Sequence, residues 1–344
     1  MAQSLAYVPI LRTKAAEVNA IHRIPQKGAS RLLPLMLPPL DEKKLLTPEI
    51  FAARVALAVS QGAALIDVIS DETLPLIATF EHLAAHSVQA IPVVPLSATS
   101  QAVGEAAKVV KKTKEGACIR LQTAELSNDP KMTVVNLDRL RTQLGVDRAG
   151  MDLLIDFGPI SPSQGALIVL AAAGIIGALP EVEAWRRLVV AATAFPRDLR
   201  DFKPDLISTT PRTEWLAWSE LSAKADLPRS PLFGDYTISH PVPIAVAPEV
   251  MTLSASLRYT AATNWLIARG RSVKKYGAGQ IHRHCSALMK REEYMFESFS
   301  WGDKWIADCA GRKEKPGSAQ TWREVGINHH LAFVLDQLAK PRAT

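Results

Sequence analysis

An α/β fold is predicted: a (β/α)8 TIM-type barrel with a C-terminal α+β extension packed on it. Eight apolar segments rich in β-branched residues alternate with helical patterns, at intervals of roughly 26–45 residues. Parallel strands joined by crossover helices need such intervals, and eight strands close this type of barrel. An open doubly wound sheet is the alternative. It is disfavoured because no Gly-rich dinucleotide-binding fingerprint follows any of the segments.

The segment 151–158 shows the unit that repeats along the chain, an apolar strand followed by a helix. It is apolar at its centre, carries a carboxylate near its end and is stopped by Gly-Pro. Ser161 suits an N-cap, Pro162 suits the first helical position, and Gln164 completes a capping box before a helix over 166–174. The predicted strands are 6–11, 31–37, 63–69, 90–96, 117–122, 151–158, 187–194 and 232–239. We expect the first and the last to pair and close the barrel.

Helical patterns fill the intervals between these strands, most clearly at 101–114, where alanines and valines take one face and lysines the other. The predicted helices are 17–24, one capped at Thr47-Pro48-Glu49, 75–86, 101–114, 134–144, 166–174 and one after Thr210-Pro211. A long connection covers 195–209. The rhythm changes after Pro241, so we divide the chain into a barrel, 1–245, and an extension, 246–344.

The extension is predicted to contain a hairpin and helices. The hairpin strands are 256–259 and 265–268, and the helices are 274–289, 291–299 and 329–338. Asn328 is expected to cap the last helix, with one of His329 and His330 packed and the other exposed. Four of the seven tryptophans lie in this final third, at Trp265, Trp301, Trp305 and Trp322. We therefore expect the extension to pack on the barrel.

The composition is that of an ordinary soluble globular protein, with 344 residues, 48% hydrophobic and 22% charged. A net charge of +6 hints only weakly at an anionic partner. Three scattered cysteines, Cys118, Cys285 and Cys309, favour a reducing compartment, and we expect the last two to be free. Residues 1–10 lack a signal-peptide pattern, and the longest apolar stretch, 166–179, is short for a bilayer. These observations predict a cytoplasmic protein that is not embedded in a membrane.

Short motifs, in one order along nearly the whole chain, carry a resemblance to a known family. They are Tyr7-Val8-Pro9-Ile10-Leu11-Arg12-Thr13-Lys14 with Glu17, Leu154-Ile155-Asp156-Phe157-Gly158, Phe233-Gly234-Asp235-Tyr236, Arg258-Tyr259-Thr260, Trp265-Leu266-Ile267, Trp301-Gly302-Asp303, and Trp322-Arg323 with Asn328-His329-His330. The ordered set resembles the "beta family" proteins of phages and bacteria, named after a phage T4 protein. The resemblance implies a setting in phage–host conflict, with a partner protein from the same defence locus. It does not indicate a particular biochemical activity. The run 34–38 departs from the family pattern, because it lacks the acidic residue that often follows this strand.

Charged and polar residues fall at the predicted carboxyl ends of the strands, where (β/α)8 barrels carry their active sites. They are Arg12, Lys14, Asp67, Arg120, Gln122, Asp156, Asp235 and Tyr236. Arg and Lys suit phosphate or carboxylate, and an Asp can orient them or move a proton. We predict catalytic roles for Lys14, Asp156 and Asp235, and ligand contacts for Arg12, Arg120, Gln122 and Tyr236. We expect Lys14, Arg120, Asp156 and Asp235 to share one pocket; the alternative is that they are ion pairs that fill the mouth.

Other basic residues are candidates for phosphate contacts. Arg197, Arg200 and Lys203 lie in the loop after the seventh strand, a frequent phosphate site in barrels, although its alternating Arg and Asp also suit a solvated, self-paired loop. Arg258 of the hairpin joins the predicted ligand-binding set. The basic run 269–276 is either a nucleic-acid contact or a solvated surface. The late histidines and cysteines match no zinc-finger spacing, so we predict no metal.

Together, these observations predict a cytoplasmic barrel protein of phage–host conflict that binds a phosphate-bearing ligand, a nucleotide or nucleic acid, at the mouth. Hydrolysis or modification of that ligand stays open, so the residues do not decide whether the protein is an enzyme, and they indicate no cofactor. The alternative is a non-enzymatic scaffold that binds a partner protein through the Trp-rich final third. The sequence contains no GxSxG, Walker, HExxH or kinase signature, which removes those classes of enzyme.

Overall fold

Eight parallel strands close into a barrel, and helices between them form the surrounding layer. The structure is a computed structural model that describes residues 5–40, 46–60, 62–127, 129–242 and 253–340. The barrel strands, in order around the barrel, are β1 (Tyr7–Arg12), β2 (Leu35–Leu37), β3 (Ala63–Ile66), β4 (Gln89–Pro95), β5 (Ala117–Gln122), β6 (Met151–Pro159), β7 (Arg187–Thr193) and β9 (Leu232–Asp235). The predicted (β/α)8 fold is confirmed.

The barrel closes between β1 and β9, as expected from the count of eight strands. Tyr7 lies opposite Phe233 and Val8 lies opposite Gly234 in parallel register. A side chain at Gly234 would meet the Ala191 Cβ at 2.9 Å and the Val8 carbonyl oxygen at 3.1 Å. Glycine is therefore what lets β9 fit between β7 and β1 on the interior side of the wall.

The strands are apolar on both faces, because one face lines the barrel interior and the other packs against helices. Val8, Ile10, Leu35 and Leu65 are among the residues that fill the interior. Tyr7, which alternates with Val8, instead packs in the larger core between barrel and helices. This alternation decides which strand-end side chains reach the mouth.

The helices around the barrel begin at the capping signals that the sequence contains. Thr47 accepts a hydrogen bond from the Ile50 amide at 3.3 Å, and the Ser161 amide donates to Gln164 Oε1 at 2.7 Å. The helices of the barrel region are α1 (Ala15–His22), α2 (Gln26–Ala29), α3 (Pro48–Val59), α4 (Leu76–Ala85), α5 (Ser100–Thr113), α6 (Pro130–Leu144), α7 (Gly165–Ala178) and α8 (Thr213–Ala223).

A separate antiparallel sheet of three strands lies beside the barrel, in the order β10, β11, β8. The hairpin β10 (Ser254–Thr260) and β11 (Asn264–Ser272) was predicted, whereas β8 (Ile207–Pro211) lies largely in the segment predicted as a connection. The β8 strand pairs with β11, which follows it by more than fifty residues, so no local pattern announces it. The predicted boundary between residues 245 and 246 falls outside the described ranges and stays a prediction.

Two of the helices predicted after the hairpin differ from the structure. The helix predicted over 274–289 is interrupted at Gly277, whose φ of +73° ends α9 (Val273–Tyr276) before α10 (Gln280–Leu288) begins. The helix predicted over 291–299 is wrong: that stretch contains Phe296 at φ +62° and no helix. Its backbone is held by tertiary contacts instead, since the Met295 amide donates to the Tyr259 hydroxyl at 2.9 Å. A helix that was not predicted, α11 (Trp301–Ala310), follows.

The last helix, α12 (Ala319–Ala339), is twice as long as predicted and is capped by Ser318, not by Asn328. Asn328 is buried within it, where its side chain donates to the Ala20 carbonyl oxygen at 3.0 Å and accepts from the Gly302 amide at 2.9 Å. His329 and His330 are both fully buried, so the expectation that one is exposed is wrong. Although α12 has 21 residues, no described helix is both long and apolar enough to cross a membrane.

Candidate functional site

A cavity of about 340 Å³ opens at the carboxyl ends of the barrel strands. Its walls include five residues that the sequence places at this mouth: Arg12, Arg120, Gln122, Asp156 and Tyr236. Ser70, Asp71, Thr123 and Gly158 add further polar groups. The mouth of a (β/α)8 barrel is where catalytic and binding residues gather in enzymes of this fold. The cavity is therefore the first candidate site.

Arg120, on β5, forms the floor of the cavity and binds two carboxylates. Its Nε and Nη2 donate to Asp156 Oδ2 at 2.9 and 2.6 Å, and its Nη1 donates to Asp67 Oδ2 at 2.7 Å. Arg120 is only 4% exposed, and both carboxylates are buried. Burial alone would lower the pKa of Arg120, but Asp156, Tyr236 and Asp67 raise it above its usual value. The guanidinium stays charged and fully directed toward its carboxylates.

Tyr236 completes this network from the residue after β9. Its hydroxyl donates to Asp156 Oδ2 at 2.6 Å and accepts from Arg120 Nη2 at 2.9 Å. Burial and the neighbouring Asp156 raise the pKa of Tyr236, so the phenol is neutral and can donate. Asp156 Oδ1 accepts the Gly158 amide at 2.9 Å. Arg120, Asp67, Asp156 and Tyr236 together are the mouth network, a preorganised set of polar groups beneath the cavity.

Arg12, at the end of β1, sits on the rim of the cavity. It donates from Nη1 to Asp71 Oδ2 at 2.7 Å and to the Pro38 carbonyl oxygen at 2.6 Å. Its side chain is 20% exposed, so this ion pair borders solvent. Gln122, half-buried at the end of β5, also lines the cavity, and Thr123 after it begins a short 3-10 turn.

Asp235 was predicted to share this pocket, and it does not. The cavity walls, as far as the described chain forms them, include neither Asp235 nor Lys14. Side chains alternate across a strand, so Tyr236 points inward while Asp235 points outward toward the helix layer. The predicted four-residue pocket is thus correct for Arg120 and Asp156 only. Lys14 lies at the N-terminus of α1, where it precedes the first helical turn.

Asp235 instead belongs to a second polar cluster, which we name the wall cluster: Tyr7, Asp235, Thr260 and His330. Tyr7 donates its hydroxyl hydrogen to Asp235 Oδ1, and His330 Nε2 lies 2.8 Å from Asp235 Oδ2. Thr260 Oγ1 lies 2.9 Å from His330 Nδ1. Burial lowers the pKa of His330, so the neutral imidazole donates from Nε2 and accepts at Nδ1. Sequence reasoning missed His330; its signal was a His-His pair inside an apolar helical pattern.

A neighbouring pair repeats this arrangement one residue earlier on α12. His329 Nδ1 lies 2.8 Å from Asp303 Oδ2, and Tyr259 donates to Asp303 Oδ1 at 2.8 Å. The rings of Tyr259 and His329 stack with centroids 3.7 Å apart. Both histidines are fully buried and enclosed by protein atoms. These pairs therefore bind α12 to the barrel and to the small sheet.

Two arginines form a cationic ledge next to the mouth: Arg258 on β10 and Arg323 on α12. Arg258 lies over the Phe195 ring at 5.2 Å and donates to the Ile238 carbonyl oxygen at 3.3 Å. Burial, together with the positive charge of Arg323, lowers the pKa of Arg258 to about 9. Both side chains are half-buried. Arg258 was predicted as a ligand contact, whereas Arg323 was noted only as part of a motif.

The basic loop after β7 is placed apart from the cavity walls. Arg197, Arg200 and Lys203 are all exposed, and the described walls of the cavity contain none of them. Arg200 donates to Asp198 within the loop at 2.8 Å. Arg269 of β11 donates to the Arg200 carbonyl oxygen at 2.7 Å, which fixes the loop to the small sheet. This geometry is that of a solvated, self-paired loop.

The late cysteines are free thiols that lie next to each other. Cys285 and Cys309 share a hydrogen bond between their side chains, and His282 Nδ1 lies 3.5 Å from Cys309 Sγ. Cys118, in the barrel interior, is also free and buried. No group of three or more His, Cys, Asp or Glu side chains in the described ranges has the arrangement of a metal site.

The family model described as "Beta protein" matches residues 7–336, nearly the whole chain. The chain belongs to the Beta protein family. Searches of curated proteins and of solved structures return no significant match. The matched range includes every residue of the mouth network and of the wall cluster in this Beta protein family member.

Proposed function

We propose that this protein binds a phosphate-bearing ligand, a nucleotide or nucleic acid, at the barrel mouth. The observation that carries the proposal is the cavity of about 340 Å³, whose polar walls end in the preorganised mouth network. Its volume lies at the lower end of the range typical of small-molecule sites. Arg12, Gln122 and Thr123 lie on its walls and offer donors and acceptors to such a ligand.

Hydrolysis of the ligand is the finer part of the proposal, and it rests on Asp156. Of the three residues assigned catalytic roles, Lys14 and Asp235 lie outside the described cavity walls, which leaves Asp156 in contact with the cavity. Asp156 Oδ1 accepts one amide hydrogen bond, from Gly158. A carboxylate oxygen has two lone pairs, so Oδ1 can also orient a water molecule as a general base.

The setting in phage–host conflict that we propose follows from the family resemblance, and the cytoplasmic location follows from the scattered cysteines and the absence of a signal-peptide pattern in residues 1–10. A direct test compares plaque formation by a panel of phages on cells that express the wild-type protein or Asp156→Asn, together with the neighbouring genes of its locus. We expect protection by the wild-type locus and its loss in the variant. Equal plaque counts on both, and on empty cells, would remove the defence role without touching ligand binding.

The second candidate function, a scaffold that binds a partner protein through the tryptophans, has less support from the geometry. Trp265, Trp305 and Trp322 are buried, at 0%, 7% and 4% exposure. Trp301 is half-buried, with the Arg23 guanidinium 4.1 Å from its ring centroid. Trp305 and Trp322 pack in the core of the extension, and Trp265 packs in the larger core around the barrel. These side chains therefore do not offer an aromatic docking surface. Purification discriminates further: a co-purifying nucleotide supports the ligand-binding function, and a stoichiometric protein supports the scaffold.

A thermal-shift panel tests the ligand-binding proposal. AMP, ATP, a short oligonucleotide and adenosine are added at up to millimolar concentration, and unfolding of the wild-type protein is followed. A ligand at 100 times its Kd stabilises the folded state by about 2.7 kcal/mol, so we expect at least one phosphate compound to raise Tm. Gln122→Ala should lose most of that rise, and Arg139→Ala, an exposed position on α6, should keep it. No shift with any phosphate compound would overturn the proposal.

A further inference from the structure

The arginines that line the cavity are already committed to carboxylates. Arg120 donates three hydrogen bonds to Asp67 and Asp156, and Arg12 donates to Asp71. Two guanidinium groups thus face three carboxylates around the cavity. A phosphate placed among them would meet carboxylate oxygens as well as cations, and like charges at short range repel. The cavity is suited to hydroxyl groups, which donate to carboxylates, rather than to the phosphate itself.

The arginines of the cationic ledge are different. In the part of the chain that the structure describes, no carboxylate lies within ion-pair distance of Arg258 or Arg323. Arg258 has a single hydrogen bond, to the Ile238 carbonyl oxygen. Arg323 lies on the helix that packs against the Arg258 backbone, since a side chain at Gly326, three residues further along α12, would meet the Arg258 carbonyl oxygen at 2.8 Å. Burial, and after it the positive charge of Arg323, lowers the pKa of Arg258 to about 9. Two half-buried cations that repel each other are stabilised by an anion that bridges them.

Glu17, a carboxyl group whose pKa responds to Arg323, does not neutralise the ledge. Glu17, on α1, is 4% exposed, and burial raises its pKa to about 7 while Arg323 acts in the opposite direction. Its Oε2 accepts the Lys14 amide at 3.2 Å as part of the helix cap. At or below neutral pH, Glu17 is therefore protonated in a large fraction of molecules. The ledge then keeps both of its positive charges for a ligand.

The ledge adjoins the cavity through one loop. Tyr236, Pro241 and Val242 line the cavity, and the Ile238 carbonyl oxygen between them accepts the hydrogen bond from Arg258. Two residues of chain span at most about 7 Å, so the Arg258 guanidinium lies within the length of a nucleotide from Tyr236. Arg12 provides a second connection, since it lines the cavity and acts on the pKa of Glu17.

We infer that Arg258 and Arg323 hold the phosphate group of a hydroxyl-bearing phosphate ester, whose sugar enters the cavity toward Gln122 and Asp156. This inference rests on the proposed function and names its ligand class. Nucleotides and sugar phosphates share this chemistry. Bidentate contacts from two planar guanidinium groups would fix the phosphate, and the carboxylates of the mouth network would accept the sugar hydroxyls.

The test compares each phosphate ester with its dephosphorylated form. Calorimetric titrations measure the Kd of AMP, adenosine, ribose 5-phosphate, ribose and inorganic phosphate for the wild-type protein, Arg258→Gln, Arg323→Gln and the control Arg139→Gln. We expect wild type and control to bind AMP or ribose 5-phosphate at least about tenfold more tightly than adenosine or ribose. Both ledge variants should lose this advantage and their affinity for inorganic phosphate, with adenosine binding unchanged. Tight binding of ribose 5-phosphate identifies a sugar phosphate, and a preference for AMP identifies a nucleotide.

The outcomes separate this inference from the function on which it rests. Suppose that AMP binds, that Gln122→Ala weakens AMP binding, and that both ledge variants bind AMP as tightly as wild type does. The phosphate then lies elsewhere, so the inference is overturned while the proposed function stands. If no phosphate compound binds to the wild-type protein, both fall. Arg323→Gln is the more informative variant, because Arg258 packs on Phe195 and its loss also changes packing. Circular dichroism and Tm confirm that each variant is folded before titration.

Discussion

Asp235 on the last barrel strand and His330 on α12 meet at 2.8 Å, and both side chains are fully buried. The contact joins residues 95 positions apart and attaches the C-terminal helix to the barrel wall. Removing His330 leaves Asp235 Oδ2 without this partner, while Oδ1 keeps its hydrogen bonds from Tyr7 and the Thr237 amide. The lost contact and the cavity left beside a buried carboxylate together cost about 3–5 kcal/mol. We therefore expect His330→Ala to lower the free energy of unfolding by that amount in denaturant titrations. His86→Ala, at an exposed position, is the control. A loss below about 0.5 kcal/mol would show that the contact is dispensable.

The mouth network supports the fold as well as the site. Asp156 accepts two hydrogen bonds from Arg120 and one from Tyr236 on a single oxygen, and its exposure is 2%. Asp156→Asn removes the charge opposite Arg120, so we expect it to lower Tm and to cost about 3 kcal/mol in the free energy of unfolding. The control Asp226→Asn changes a carboxylate that is 79% exposed and should be nearly neutral. If Asp156→Asn unfolded like wild type, Asp156 would contribute nothing to stability and this prediction would be wrong.

The ionisation of Glu17 should destabilise the folded protein as pH rises. Burial raises the pKa of Glu17 to about 7, although the positive charges of Arg323, Lys14 and Arg12 lower it. A further cation nearby, Arg54 of α3, donates to the Thr13 carbonyl oxygen. The folded state therefore holds a proton that the unfolded state releases near pH 4.5, and stability falls between pH 4.5 and 7. We expect Glu17→Gln to be more stable than wild type at pH 8, by at most about 3 kcal/mol, and to lose this advantage at pH 4.5.

Unfolding in denaturant at a series of pH values measures this difference. Gln keeps the N3 capping position, so the helix cap is preserved in the variant. An equal difference in unfolding free energy at pH 4.5 and pH 8 would contradict a raised pKa for Glu17. Sulfate, which does not titrate in this range, provides a second readout. Its binding to the ledge should weaken between pH 6 and pH 8 in wild type and change less in Glu17→Gln, where Arg258, with a pKa of about 9, stays largely charged.

The three thiols should be unreactive while the protein is folded. Cys118, Cys285 and Cys309 are free and each is fully buried. Burial and the neighbouring Asp152 raise the pKa of Cys118, which further slows its reaction. We expect Ellman's reagent to detect fewer than one thiol within minutes in the native state and three in guanidinium. A count of one after unfolding without reductant would indicate a disulfide between Cys285 and Cys309.

Much of the fold follows from local signals in the sequence. The barrel strands are apolar runs, their spacing matches crossover helices, and caps such as Thr47 and Ser161 mark where helices begin. The third strand of the small sheet, β8, was missed because its pairing partner is distant in the chain. The prediction of a helix over 291–299 is wrong because tertiary hydrogen bonds hold this stretch instead. The Met295 amide donates to the Tyr259 hydroxyl, and the Tyr294 hydroxyl donates to the Asp303 carbonyl oxygen.

The alternation of side chains along each strand decides which of the predicted site residues face the cavity. Arg120, Gln122, Asp156 and Tyr236 reach the cavity because each lies on the interior face of a strand or directly follows one. Asp235 sits one residue from Tyr236 and so faces the helices, which a strand-end argument alone does not distinguish. Arg323 lies on a helix that starts ten residues before its predicted position, and only tertiary packing brings it to Arg258.

The most direct test of the central claim is a crystal structure of the protein grown with AMP or ribose 5-phosphate. Ligand binding at the mouth predicts density in the cavity, with the sugar within hydrogen-bond distance of Gln122 or Asp156. The phosphate should lie between the guanidinium groups of Arg258 and Arg323. An empty cavity at ligand concentrations that saturate binding in solution, with density on another surface, would contradict the account.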